Sequence, residues 1–237
     1  MFPFRWRERA EDKYLQLLFA FLFLFLAAPL ILRIGFWGEF LLAYILLGTI
    51  LQVIRTFNVG KRLFRTFLLL GATGVVSGTA IALAELQTPI ETILQVVNDL
   101  STIAFFLLVI LLFVAKIFRD KTVTIDTLVG GISVYLTIGL MWATIYQLIL
   151  IFDPLAFALP ETQESARSGM FYFSYVTLTT LGYGDIAPVQ PVSMLLAALE
   201  AIVGQIFPAI FIARLVGLYT AREASDRASS ENRDPSE

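Results

Sequence analysis

Thr177-Leu178-Thr179-Thr180-Leu181-Gly182-Tyr183-Gly184-Asp185 lies between two long apolar segments and is too polar and glycine-rich to continue either of them. Irregular backbone at membrane depth is tolerated only where it is buried in protein or lines a watery path, because lipid offers its polar groups no partner. Gly182 and Gly184 alternate with residues that carry side chains, and glycine alone enters positive-φ conformations freely. Such an alternation of hand turns successive carbonyls to one side, so the stretch predicts a row of main-chain oxygens. One row cannot surround an ion. The stretch occurs once, with no internal repeat, so a closed ring of oxygens requires several chains.

Thr180-Leu181-Gly182-Tyr183-Gly184 resembles the selectivity filter of potassium channels, whose usual form is TVGYG; Leu181 stands where that family usually has valine. The resemblance implies that the carbonyls of Thr180, Leu181, Gly182 and Tyr183, with the Thr180 hydroxyl, replace the water shell of K+. It implies a homotetramer, K+ as permeant ion, and no cofactor. An ordinary Gly-Tyr-Gly loop turn is the competing interpretation. Against it stand Thr179 before the motif, Asp185 after it, an aromatic amphipathic lead-in and a spanning lead-out, the context that gives a short motif its weight.

Hydrophobic residues make up 58% of the 237 and charged residues only 15%, with mean hydropathy +0.80. These values lie outside a soluble domain of this length and point to an integral membrane protein. Windows near the roughly 20 apolar residues that span a bilayer fall at 15–32, 39–54, 63–84, 96–118, 127–152 and 192–219. The first is too long for a secretory leader, and Glu8, Glu11 and Asp12 precede it.

The basic residues orient the spans. Arg5, Arg7, Arg9 and Lys13, then Arg55, Lys61, Arg62 and Arg65, then Lys116, Arg119 and Lys121, then Arg214, Arg222, Arg227 and Arg233 fall on one side. Only Arg33 and Arg167 fall on the other, among Glu39, Glu85, Glu91, Asp99, Asp153, Glu161, Glu164 and Asp185. Positive residues mark the cytoplasmic side, so both termini are expected there, in the cell membrane, with the filter in the outer half.

The expected architecture is an all-α integral membrane protein: six transmembrane helices, a re-entrant pore helix and a filter loop. Residues 1–14 form a cytoplasmic segment, 15–118 a four-helix domain, 119–126 a linker, 127–219 a pore domain and 220–237 a short cytoplasmic tail. Four spans before a pore unit resemble the layout of voltage-gated potassium channels. The fourth span, however, carries no Arg or Lys between Ser101 and Ala115. Each elementary charge moved through the field supplies about 2.3 kcal/mol per 100 mV, so intrinsic voltage gating is expected to be weak or absent. In the third span, Gly71, Gly74, Ser77 and Gly78 are spaced for close helix contact.

Gly169 to Thr179 is about eleven residues, roughly 16 Å of helix, too short to span and long enough to re-enter. By resemblance it is the pore helix, with its negative dipole end toward the cavity. Tyr172 and Phe173 stand where the family commonly carries two tryptophans and are expected to pack around Tyr183. Val176 occupies a position that is a glutamate in some bacterial relatives, so Asp185 needs another partner. Thr179 and Asp185 complete the support of the filter.

The sixth span holds Glu200, Gly204 and Pro208. Proline lacks the N–H that would bond the carbonyl four residues back, which is that of Gly204. The family's inner-helix glycine implies a gating hinge at Gly204 with Pro208 as helper; a static kink is the alternative. An acid at membrane depth is a functional candidate, and Glu200 either faces the cavity, attracting cations, or sits behind the pore helix as a hydrogen-bonded strut.

The chain has no His and no Cys, which removes imidazole and thiolate metal sites, a Cys nucleophile and disulfides. It shows no phosphate-binding loop and no catalytic constellation, so it does not read as an enzyme. Nothing in it points to a nucleic-acid partner; its partners are the lipid bilayer, K+ and further copies of itself. A secondary transporter is a rival reading, although such folds pair their helix interruptions in two related halves and one interruption is seen here. A non-conducting membrane subunit that keeps the motif is another.

Overall fold

The computed structural model describes residues 60–83, 88–119, 122–160 and 166–231, together with isolated positions before residue 60. The N-terminal segment and the spans expected at 15–32 and 39–54 fall outside it apart from those positions. The described chain runs α1 (Lys61–Leu83), α2 (Thr88–Arg119), α3 (Ile125–Phe152), β1 (Phe157–Ala158), α4 (Ala166–Leu178), β2 (Ala187–Pro188) and α5 (Pro191–Glu231). Among the described residues four helical stretches are long and apolar enough to cross a membrane, at Lys61–Ile81, Pro89–Arg119, Thr127–Phe152 and Pro191–Ala224. They coincide with the third to sixth expected spans.

Helix α2 buries Phe105, Phe106, Val109, Phe113 and Ile117, a stripe at helical spacing that faces its neighbours. Leu107, Leu111 and Phe118 on its other side stay exposed. Phe67 of α1 meets Phe105 edge-on at 5.9 Å, and the Ser77 hydroxyl reaches the Asn98 side chain at 3.2 Å. On its far flank α2 sets Phe113 over Gly130 of α3. Helix α2 therefore packs between α1 and α3 of its own chain.

Thr124 begins α3 with a reciprocal cap. Its Oγ1 accepts from the Thr127 N–H at 3.3 Å while Thr127 Oγ1 accepts from the Thr124 N–H at 3.3 Å, satisfying donors that the first turn leaves open. The expected linker thus ends as a helix cap. At its C-terminal end α3 stops at Asp153, directly before Pro154.

One feature departs from a purely helical protein. Phe157 pairs with Pro188 and Ala158 with Ala187 in a two-residue antiparallel ladder, extended by a Val189 N–H to Ala156 carbonyl bond of 3.0 Å. Ala187 precedes a proline, which drives it to extended geometry. The ladder ties the segment after the filter to the segment after α3.

Helix α5 passes Pro208 and continues beyond the expected end at Tyr219 to Glu231. The tail expected from 220 is therefore helical for most of its length. Its polarity argues against burial, but Ala221, Arg222, Glu223 and Ala224 are good helix formers, and polarity was the weaker guide to its conformation.

Candidate functional site

Helix α4 is the short helix expected to re-enter the membrane, and its last turn passes directly into the stretch from Thr179 to Asp185. The Leu181 and Gly182 N–H groups both donate to the Val176 carbonyl, at 2.9 and 3.3 Å, and the Thr180 N–H donates to Thr177 at 2.9 Å. The peptide bonds are all trans among the described residues, and in a trans peptide the carbonyl points opposite to the following N–H. The carbonyls of Thr180 and Leu181 therefore point away from α4.

Positive φ occurs at every second position: 58° at Thr180, 59° at Gly182 and 78° at Gly184. This is the alternation expected at the two glycines, with one addition. Threonine is β-branched, and holding it in the left-handed region costs on the order of 1–3 kcal/mol. Strain of this size is held where the surrounding chain fixes the geometry, here the run of bonds to the last turn of α4. Thr180 to Asp185 are exposed in the single chain, so their oxygens are open to a ligand or to another copy.

The support residues separate. Tyr172 hydrogen bonds Asp185 and lies within the electrostatic reach of Tyr183, so it is the partner that Asp185 lacked in the sequence. Burial first, then the bond to Asp185, pushes its phenol above the ordinary value of 10.0. Phe173 turns the other way: it is buried and packs edge-on against Tyr146 at 5.1 Å and Phe157 at 5.3 Å. Its expected place beside Tyr183 is not where the chain puts it. The Thr179 hydroxyl bonds back to the Tyr175 carbonyl at 2.7 Å.

On α5, Glu200 is fully buried. Its Oε2 lies 2.5 Å from the Tyr146 hydroxyl of α3 and its Oε1 lies 2.6 Å from the Ser174 hydroxyl of α4. Of the two expectations for this acid, the geometry has it behind α4 and not toward solvent. One turn further along, a Cβ on Gly204 would meet the Leu178 carbonyl oxygen at 2.0 Å, so only glycine admits the last turn of α4 at this distance. Gln205, next to it, reaches the Thr180 hydroxyl with its amide nitrogen at 3.3 Å. Pro208 sits inside the same continuous helix.

Sequence reasoning missed Ser174, Tyr146 and Arg214. Ser174 could have been noticed as the small hydroxyl on the buried face of an otherwise apolar and aromatic α4. Arg214 looked like one more cytoplasmic charge. Its guanidinium donates to the carbonyls of Ile117 at 3.2 Å and Phe118 at 2.7 Å and lies 5.0 Å over the Phe118 ring. It therefore closes the C-terminal end of α2 from a helix almost a hundred residues away in sequence. The described residues contain no cluster of three or more His, Cys, Asp or Glu that could hold a metal ion.

Residues 105–221 match the model of a family described as "Ion channel". The chain is similar to Protein LctB of Bacillus caldotenax, 30% identical over 110 residues that cover 44% of this chain and 81% of that protein. It is similar also to Protein LctB of Geobacillus stearothermophilus, 29% identical over 110 residues with the same coverage. No solved structure matches it. The matched region begins within α2 and takes in α3, α4, the filter stretch and most of α5.

Proposed function

We propose, from the premise that the chain belongs to the ion channel family, that four copies form a potassium-selective pore in the cell membrane and conduct K+ passively. The observation that carries this reading is the alternation of hand at Thr180, Gly182 and Gly184, combined with amides tied back to Val176. Together they favour a row of carbonyls on the side away from α4.

In the closed ring, Thr180, Leu181, Gly182 and Tyr183 bind the dehydrated ion, and Gly184 gives the row its last turn. Several adjacent sites let one ion push the next onward, which reconciles binding with flow. The dipole of α4, negative at its inner end, favours a cation in the cavity below. Thr179 and the Tyr172–Asp185 bond hold the two ends of the filter, with Phe173 bracing α4 from behind. Gly204 and Pro208 form the hinge of α5, since Pro208 leaves the Gly204 carbonyl without its intrahelical donor. Helix α2, uncharged from Ser101 to Ala115, gives voltage no purchase. The distribution of Lys and Arg supports cytoplasmic termini.

The test is reconstitution of the purified chain in planar bilayers with opposed K+ and Na+ gradients. The expected result is unitary current reversing near the K+ equilibrium potential. Slow coupled flux or silence would overturn the reading.

A further inference from the structure

Behind the filter three short oxygen–oxygen contacts follow one another without a gap. Tyr146 Oη meets Glu200 Oε2 at 2.5 Å, Glu200 Oε1 meets Ser174 Oγ at 2.6 Å, and Ser174 Oγ meets the Gly139 carbonyl oxygen at 2.8 Å. Each contact at such a distance needs a proton between its two oxygens. The Tyr146 and Ser174 hydroxyls bring one proton each, and a main-chain carbonyl brings none. Three contacts need three protons, and the third has a single place to reside.

We propose that Glu200 is a neutral carboxylic acid whose Oε1–H donates to Ser174, which makes it the positioning residue that fixes the pore helix between the outer and inner helices. Tyr146 then donates to Oε2, Ser174 passes its own proton to Gly139, and every oxygen in the chain is satisfied. An ionised Glu200 would leave the Ser174 proton to choose between two acceptors, and one pair of oxygens would face each other across less than 3 Å with no hydrogen between them.

The surroundings agree with an uncharged acid. Glu200 is fully buried in a membrane-spanning helix, where an isolated charge is expensive, and its hydrogen-bond partners are hydroxyls with no Lys or Arg among them. The titratable groups facing it are the phenols of Tyr146, Tyr135 and Tyr175. Tyr135 bonds the Leu178 carbonyl at 3.2 Å and Tyr175 the Leu136 carbonyl at 2.6 Å, so neither phenol supplies the missing proton. Ser174 lies one turn before Leu178, whose carbonyl rests on Gly204. The acid and the glycine thus hold the same face of α4 in register, immediately before the filter begins.

Infrared difference spectroscopy on the full chain in lipid nanodiscs tests the proton directly. Subtracting Glu200→Gln from the parent at neutral pH should leave the carbonyl stretch of one protonated carboxylic acid. Tyr146→Phe, which removes the donor to the carbonyl oxygen, should move that band to higher frequency. A difference spectrum showing only carboxylate bands would overturn the proposal.

The positioning role deepens the potassium-channel reading and rests on it. An amide reproduces the bonds of the neutral acid, donating to Ser174 and accepting from Tyr146. Glu200→Gln should therefore keep the K+ over Na+ permeability ratio within about twofold, while Glu200→Ala, which leaves buried hydroxyls without partners, should lower it about tenfold. Block by internal Mg2+ should be the same in Glu200→Gln as in the parent, since no cavity charge is removed. Loss of selectivity in Glu200→Gln equal to that in Glu200→Ala would overturn the positioning role. The infrared result is independent of conduction, so a parent chain that carries no K+ current but shows the band sinks the channel reading and leaves the protonation state established.

Discussion

Gly204 of α5 rests directly against the main chain of Leu178, the last residue of α4, with room for a hydrogen and not for a methyl group. The contact joins α5 to the last turn of α4, directly before the glycine-rich stretch. Because the opposing atom is a backbone carbonyl, neither side can turn a rotamer to relieve an added carbon. Gly204→Ala should therefore cost about 1–3 kcal/mol by overpacking and lower the thermal midpoint of the assembly in detergent. An unchanged midpoint would show that α4 and α5 are not seated as described.

The filter glycines behave differently. Nothing lies within 4 Å of a Cβ built on Gly182 or Gly184, but both hold positive φ, and a side chain there costs about 1–2 kcal/mol in conformation. Gly182→Ala is expected to assemble like the parent and to lose discrimination between K+ and Na+, read from reversal potentials. Retained selectivity would mean that the alternation of hand does not set the oxygens.

Arg214 closes the end of α2 with two bonds and a ring contact. Replacement by Leu should cost on the order of 1 kcal/mol and quicken hydrogen exchange in the last turn of α2. Lys keeps the charge but not the fork, so Arg214→Lys should recover only part of the protection. Equal exchange in all three proteins would remove the link.

Beside Asp185 the Tyr172 phenol is held above its ordinary value, by burial first and the Asp185 bond second. A raised value means that the contact is fully present below pH 10.0 and is lost only as pH rises through the folded value. Current stability should thus be insensitive to pH through the neutral range as far as this contact is concerned. In ultraviolet titration, the tyrosine absent from Tyr172→Phe should ionise at lower pH in Asp185→Asn than in the parent. No difference between those two would separate the residues.

Voltage should matter little. With no basic residue between Ser101 and Ala115, the conductance–voltage relation of the reconstituted protein should correspond to less than about one elementary charge, each worth about 2.3 kcal/mol per 100 mV. A steep relation carrying several charges would contradict this.

The spans that the structure describes were legible because long apolar runs leave little else for a chain to do in a bilayer, and the positive φ of Gly182 and Gly184 because glycine at alternate positions has few other uses. The positive φ of Thr180 was not legible, since a threonine gives no sign of being forced across the Ramachandran map by the turn before it. The partners of Glu200 were equally hidden: Tyr146 and Ser174 lie 54 and 26 residues from it, and only the packing of three helices brings them together. Phe173 and Tyr172 are adjacent in sequence, and helical geometry sent one against Tyr146 and Phe157 and the other to Asp185. The extension of α5 to Glu231 shows the reverse case, in which polar composition suggests a stop although the residues themselves favour helix.

The short ladder between Phe157–Ala158 and Ala187–Pro188 limits how far a displacement can travel along the chain that follows Asp185. Its rungs are main-chain bonds, and Ser193 adds a 2.8 Å bond to the Ala156 oxygen from the first turn of α5. The strand leaving the filter is consequently hemmed to its own subunit by a seam that side-chain replacement at the surface does not unpick. Movement of the chain at Asp185 should therefore not pass beyond Ala187, where the seam begins.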